Sequence, residues 1–332
     1  MLVAVVTLCV AAIGGGVAPG VQATTGRTAK PVGALPRQWM EMRHVDVRIA
    51  DSATVRVHWL RGELLRTVAD RPVALGDPLT FRVRVTGGTV SLTGADLGAI
   101  ENGVLFAYHG APLSDLRLRT DGSELVQTGV LHKVVPLHFE TRATLALMPD
   151  GRIRVHPIAV HVLGVSAEKL LHTLGMHLSS VVDVSHARGI ALDGDDVIID
   201  PMQVLPPPAI VGRLRAVRIE GPAVVAEFVP SVDDTLFRHS RDSAHTAPGF
   251  VDFHGGTLEV GTLEMHDTDL RIGDRDSLGS FDLSLPHYAD QLMHGYFTMH
   301  ANFGVVARVP DFAALGMAPA SAPPVIASGR GR

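Results

Sequence analysis

A chain of 332 residues can bury a substantial core, and with 46% apolar but only 5% aromatic residues that core must be aliphatic. Its 34 carboxylates against 29 lysines and arginines exclude the basic surface of a dedicated nucleic-acid binder. The single cysteine, Cys9, excludes a disulfide scaffold and a thiolate metal site.

Met1 to Ala23 carries no charge, and its apolar run from Leu2 to Ile13 has signal-peptide length. Val21-Gln22-Ala23 then offers small residues at the two positions a signal peptidase reads, so 1–23 reads as an export signal or N-terminal anchor. A flexible leader, 24–40, follows, and the protein is expected in the periplasm or otherwise associated with the envelope. Strand-like alternation begins at His44 to Ile49 and resumes at Val55 to Leu60. Thr80 to Val85 and Thr89 to Leu92 flank Gly87-Gly88, a hairpin signal because glycine accepts positive φ. The arginines of Phe81-Arg82-Val83-Arg84-Val85 read as the wet face of a half-exposed strand.

Thr93 with Asp96 forms a capping-box pattern before Leu97, Ile100 and Val104. Asp121-Gly122, Asp150-Gly151 and Asp193-Gly194 repeat the hairpin signal, which implies a meandering antiparallel sheet. Ser166 to Asp183 breaks that pattern. Leu170, Leu171, Leu174, Leu178, Val181 and Val182 share a helical stripe roughly 120° wide, with Ser166 as N-cap. Such a helix must lie against a sheet. The triple proline at 206–208 marks a bent corner, and 231–249 reads as a linker between a main domain, 41–230, and a strand-rich segment, 250–312, that extends the sheet. Pro286 is placed to open a helix presenting Tyr288, Leu292 and Tyr296, and 313–332 has the composition of a disordered tail.

The fold expected is α+β: an extended, curved antiparallel sheet dominated by hairpins, with the 166–183 helix packed on its concave face. Metal chemistry finds no local support. His156 and His161 fall on opposite faces of a regular strand, and His172 and His177 diverge on the helix. Asp193, Asp195 and Asp196, like Asp267, Asp269, Asp274 and Asp276, read as turn residues because neither group matches a calcium loop. No nucleophile elbow, P-loop or dinucleotide fingerprint is present. No catalytic residue, metal or cofactor is therefore assigned.

One stretch does look familiar. Asp96-Leu97, Asn102, Phe106 and Pro112-Leu113 lead to Gly129 and Pro136, then to the run Pro149 to Pro157, then to the amphipathic helix, Asp200-Pro201 and Gly212. This order, over roughly Leu75 to Phe228, resembles the bacterial LmeA-like phospholipid-binding family, itself similar to the tubular lipid-binding fold. The Gly255-Gly256-Thr257-Leu258 opening of the C-terminal segment is loosely similar to strands of AsmA-type envelope proteins. The resemblance implies a non-enzymatic protein that holds lipid or phospholipid between helix and sheet, with a possible membrane surface as partner. The groove would be lined by Leu170, Leu171, Leu174, His177, Leu178 and Val181. Two other readings are kept: an envelope interaction module with a solid core, and a hydrolase assembled from His287, His294, Asp267 and Asp269.

Overall fold

A computed structural model describes residues 36–50, 52–132, 136–162, 165–166, 184, 187–204, 207–230, 249–276, 279–300 and 304–317. The strands begin with β1 (Gln38–Ala50), β2 (Ala53–Arg66), β3 (Val73–Ala74) and β4 (Phe81–Thr93), followed by helix α1 (Gly94–Ile100) and a π-helical turn over Glu101–Leu105. Next come β5 (Leu113–Asp121), β6 (Glu124–His132), β7 (Pro136–Leu147), β8 (Ile153–Val162), β9 (Val165–Ser166), β10 (Ile190–Asp193) and β11 (Asp196–Ile199). The chain continues through β12 (Ala209–Val211), β13 (Leu214–Glu220), β14 (Ala223–Phe228), β15 (Phe250–Val260), β16 (Leu263–Asp274) and β17 (Phe281–Ser284). It closes with helix α2 (Tyr288–Met293), β18 (Tyr296–Met299), β19 (Val305–Val309) and a 3-10 turn at Phe312–Met317.

Two sheets result. The large one has twelve strands in the main order β13-β14-β4-β2-β1-β15-β16-β19-β18, and the small one has seven in the order β10-β11-β8-β7-β6-β5, with β9 on β8. The antiparallel, hairpin-dominated architecture expected from the turn signals is observed. The large sheet is mixed because β3, β12, β17 and β19 each join a neighbour in parallel. Residues 41–230 thus supply parts of both sheets, and β15, from the C-terminal segment, pairs directly with β1.

The Asp-Gly turns close β5–β6, β7–β8 and β10–β11, with Gly122, Gly151 and Gly194 at positive φ. Gly87-Gly88 does not make a hairpin. It lies inside the continuous strand β4, where a Cβ at Gly87 would come within 2.9 Å of the Trp59 ring and one at Gly88 within 3.0 Å of the Trp59 carbonyl. The glycines serve close packing across the sheet. His156 and His161 also depart from expectation. An extra residue in β8 opposite Arg142/Ala143 makes a bulge, so His156 pairs with Thr144 and His161 with Glu140, which places both on one face. Helix α2 does follow Pro286, but it ends at Met293, and Tyr296 belongs to β18.

Residues 167–183 lie outside the described residues, and Ser166 closes β9. Among the described residues, α1 is the helix that packs on both sheets, and one continuous core joins the two through it. Its capping box is as expected: the Thr93 hydroxyl accepts from Asp96 N, and the Asp96 carboxylate accepts from Thr93 N. Leu97 and Ile100 are fully buried. Gly94 and Gly98, on one face of the helix, approach β5 so closely that a Cβ at either would press on the carbonyl of Leu118 or Leu116. Asn102 continues that face.

Candidate functional site

The register of the small sheet defines one nearly continuous apolar face. Pairing places Leu125 opposite Ala143, Leu147 opposite Ile153 and Ile153 opposite Ile199, and all are buried or packed against the core. The same face continues past Gly129 to Leu131 and Leu137, to Phe139 opposite Val162, and to Val160. These last five side chains are half-buried, as are Leu145, Leu147 and Val155 on the same face, and Phe139 packs against the core as those three do. At Gly129 a Cβ would lie 2.6 Å from Leu116 Cδ2 and 3.1 Å from Phe139 Cζ. β9 pairs with β8 at Val162, beside the half-buried end. The opposite face carries His138, Glu140, Arg142, His156 and His161, so the two sides differ sharply in character.

The expected groove residues Leu170, Leu171, Leu174, His177, Leu178 and Val181 all lie outside the described residues. What the structure describes beside them is the apolar face of the small sheet.

Polar groups approach this apolar face near α1, and sequence reasoning missed them. Gln127, in the middle of the face, donates from Nε2 to Glu101 Oε2 at 2.9 Å. Glu101 opens the π-helical turn and is buried. Burial pushes its carboxyl up to about 8, so it is neutral at pH 7. Asn102 donates to the carbonyls of Gly98 and Leu116, each at 2.7 Å, and accepts from Leu116 N at 3.0 Å. The Leu116 groups are available because β5 bulges between Ser114 and Arg117, with Asp115 at φ +52°. A glutamate flanked by Ile100 and Leu105 was the available signal, but its partner lies 26 residues away.

A second polar cluster sits at the far end of β16. Oxygen atoms of Asp274, Asp276 and Asp311 lie within 4.8 Å of one another, with Asp274 buried. Asp276 N donates to Asp274 Oδ1 at 3.0 Å, and Asp282 N to Asp311 Oδ1 at 2.8 Å. Burial first, and then the neighbouring charges of Asp274, Asp282 and Asp276, push the Asp311 carboxyl up to about 6. Three hard oxygen donors suit a divalent cation of the calcium or magnesium type, or a shared proton. Turn chemistry accounts for the Asp276–Asp274 bond, and Asp311 joins from a distant part of the chain.

The residues of the hydrolase reading are held by different neighbours. Asp267 and Asp269 lie near the middle of β16, where Asp269 Oδ1 is 3.6 Å from His254 Nδ1. His287 and His294 bracket α2, which packs on β17 and β19. His287 stacks on Phe312 and lies 3.3 Å from Asp290, and His294 Nδ1 is 2.8 Å from the Asp290 carbonyl.

Comparison with protein-family models, with curated proteins and with solved structures finds no match for this chain.

Proposed function

We propose that this chain is a non-enzymatic lipid-handling protein of the bacterial cell envelope. Acyl chains would lie along the half-buried end of the small sheet, over Leu131, Leu137, Phe139, Val160 and Val162. The apolar stripe of 166–183 would form the facing wall, with His177 at its rim for a polar headgroup. The observation that carries this reading is the apolar face of the small sheet, which is half-buried over Leu131, Leu137, Phe139, Val160 and Val162, beside the place where the chain leaves for residue 167. An acyl chain leaving water for such a surface gains about 0.8 kcal/mol per methylene. The aliphatic composition, the uncharged apolar run near Met1 and the residue pattern resembling the LmeA-like family support the same reading.

The interaction-module reading is favoured by one observation: Phe139 and Leu116 fill the space over Gly129, leaving no room for a chain at that point. Native mass spectrometry of the purified protein, with lipid extraction and a vesicle transfer assay, separates the two. Lipid should co-purify, and Val160→Asp should abolish it while Ile158→Asp, at an exposed bulge residue of the same strand, should not. Protein free of lipid and inactive in transfer would leave the interaction module.

A further inference from the structure

The large sheet ends in a row of loop tips that present aliphatic side chains to solvent. β2 finishes at Arg66 opposite Phe81, the first residue of β4, and β1 begins at the same end, with Gln38 opposite Leu64. β15 runs towards this end and passes the start of β1, pairing there with β3 through Leu258 and Glu259. It turns into β16 with Val260 opposite Leu263. The 67–80 connection and the 260–263 turn are therefore neighbours, joined by the bond from Leu75 N to the Glu259 carbonyl at 2.9 Å.

Leu79 is 67% exposed, Leu263 51% and Val68 44%. Leu79 is held out by a braced turn. Its N–H donates to Asp77 Oδ1 at 3.1 Å, Thr80 N donates to the Asp77 carbonyl at 3.0 Å, and the Thr67 hydroxyl donates to the Leu79 carbonyl. Thr67 N bonds to the Thr80 carbonyl at 2.9 Å, which brings Val68 beside Leu79. Arg71, 3.5 Å from Asp77, and the exposed Arg82 flank the tips, and the exposed Asp70 and Glu264 stand beside them.

We infer that this end of the large sheet docks on a phospholipid bilayer, with Leu79, Val68 and Leu263 entering the interfacial zone and Arg71 and Arg82 at the level of the phosphates. Aliphatic tips held rigidly beside long cationic side chains suit that boundary, where an apolar group and a charged group are each accommodated at their own depth. The place where the chain enters the fold supports the choice of occupant. Residues before 36 lead into β1 at this same end, and they include the uncharged apolar run from Leu2 to Ile13. Another exposed apolar group, Met293 and Met299 on α2 and β18, has no such continuity with an apolar terminus and serves as a control.

The inference is independent of the lipid-holding reading, since a protein can dock without holding a lipid and hold one without docking. The full chain is mixed with vesicles of equal parts phosphatidylcholine and phosphatidylglycerol, and sedimentation is combined with amide hydrogen exchange. Vesicles should protect amides of 67–80 and 260–264. Leu79→Asp with Leu263→Asp should weaken partitioning by on the order of tenfold or more, while Met293→Asp with Met299→Asp should leave it unchanged. Both substituted pairs are exposed, so melting temperatures should match wild type. Lipid that co-purifies with the wild type should still co-purify with the Leu79/Leu263 variant, which keeps the two readings distinguishable. Wild-type partitioning by that variant, protection confined to other strands, or the same protection arising from self-association without vesicles would overturn the inference.

Discussion

Asp96 and Glu101 stand five residues apart at the two ends of α1, both buried, and the structure treats them in opposite ways. Burial alone would raise the Asp96 carboxyl, but bonds from Thr93, Arg56 and Thr54 outweigh it and hold the group below its ordinary range. Its oxygens accept from the Thr93 hydroxyl at 2.5 Å, Arg56 Nη1 at 2.7 Å, Thr93 N at 2.9 Å and Thr54 N at 3.1 Å. Glu101 receives a single neutral N–H from Gln127, and burial decides its state. A buried carboxylate is thus a structural anchor or a liability according to how many donors the fold aims at it.

The largest effect should come from breaking the satisfied end. Asp96→Ala removes the N3 half of the capping box, leaving Thr93 as N-cap, and takes the partner from Arg56 and two backbone N–H groups, so urea unfolding should show a loss of about 3–4 kcal/mol. Because the folded carboxyl titrates below its ordinary 3.8, its contribution is present above that value and fades as pH falls through the lower folded one. The variant should therefore lack that part of the acid-limb loss.

Glu101→Gln should act in the other direction, as a gain. The wild-type group is neutral in both states below about 4.5 and carries no penalty there. Between 4.5 and about 8 the unfolded chain ionises while the folded one does not, so stability falls by about 1.4 kcal/mol per pH unit and then levels. At pH 7 the glutamine variant should be more stable by up to about 3 kcal/mol, and the gain should vanish near pH 4. A flat wild-type profile from pH 5 to 8 would remove the contrast with Asp96.

Asn102→Ala should cost roughly 1–2 kcal/mol and speed exchange of the Leu116 amide, since two backbone groups lose their partner. The smallest change is Gly98→Ala. A Cβ there would stand 3.0 Å from the Leu116 carbonyl, and a helix-propensity gain of about 1 kcal/mol opposes the crowding. Thermal melting should shift by little in either direction.

What the sequence made legible was local. The Thr93–Asp96 box and the three Asp-Gly hairpins are set by residues within a few positions of one another, and each appears where its pattern put it. Gly87-Gly88 misled because its cause is Trp59, on a neighbouring strand. The histidine faces on β8 misled because strict alternation cannot show a bulge at Ile158. Distance in the chain also hid the polar features: Gln127 meets Glu101 across 26 residues, and Asp311 joins Asp274 and Asp276 by way of β19. The apolar stripe of 166–183 is a pattern in the sequence that lies outside the described residues, while the apolar face of the small sheet emerged only once the strand register was known. Alternation shows that a strand has an apolar face but not which part of it stays half-buried.

Asn102 carries a consequence beyond the stability of its own bonds. Where β5 slips out of step with β6, the Leu116 N–H and carbonyl would present the outward-facing groups that recruit strands from other molecules. The carboxamide fills that vacancy with one donor and one acceptor, as a neighbouring strand would. Further along, the Thr120 hydroxyl ties the same strand to the Gly221 carbonyl at 2.8 Å. β5 thus borders the small sheet without behaving as an open border, and its guard is a side chain from a helix. In a chain that has made its sheets but not yet docked α1, the border stands unguarded, and that interval is when one molecule is most exposed to another.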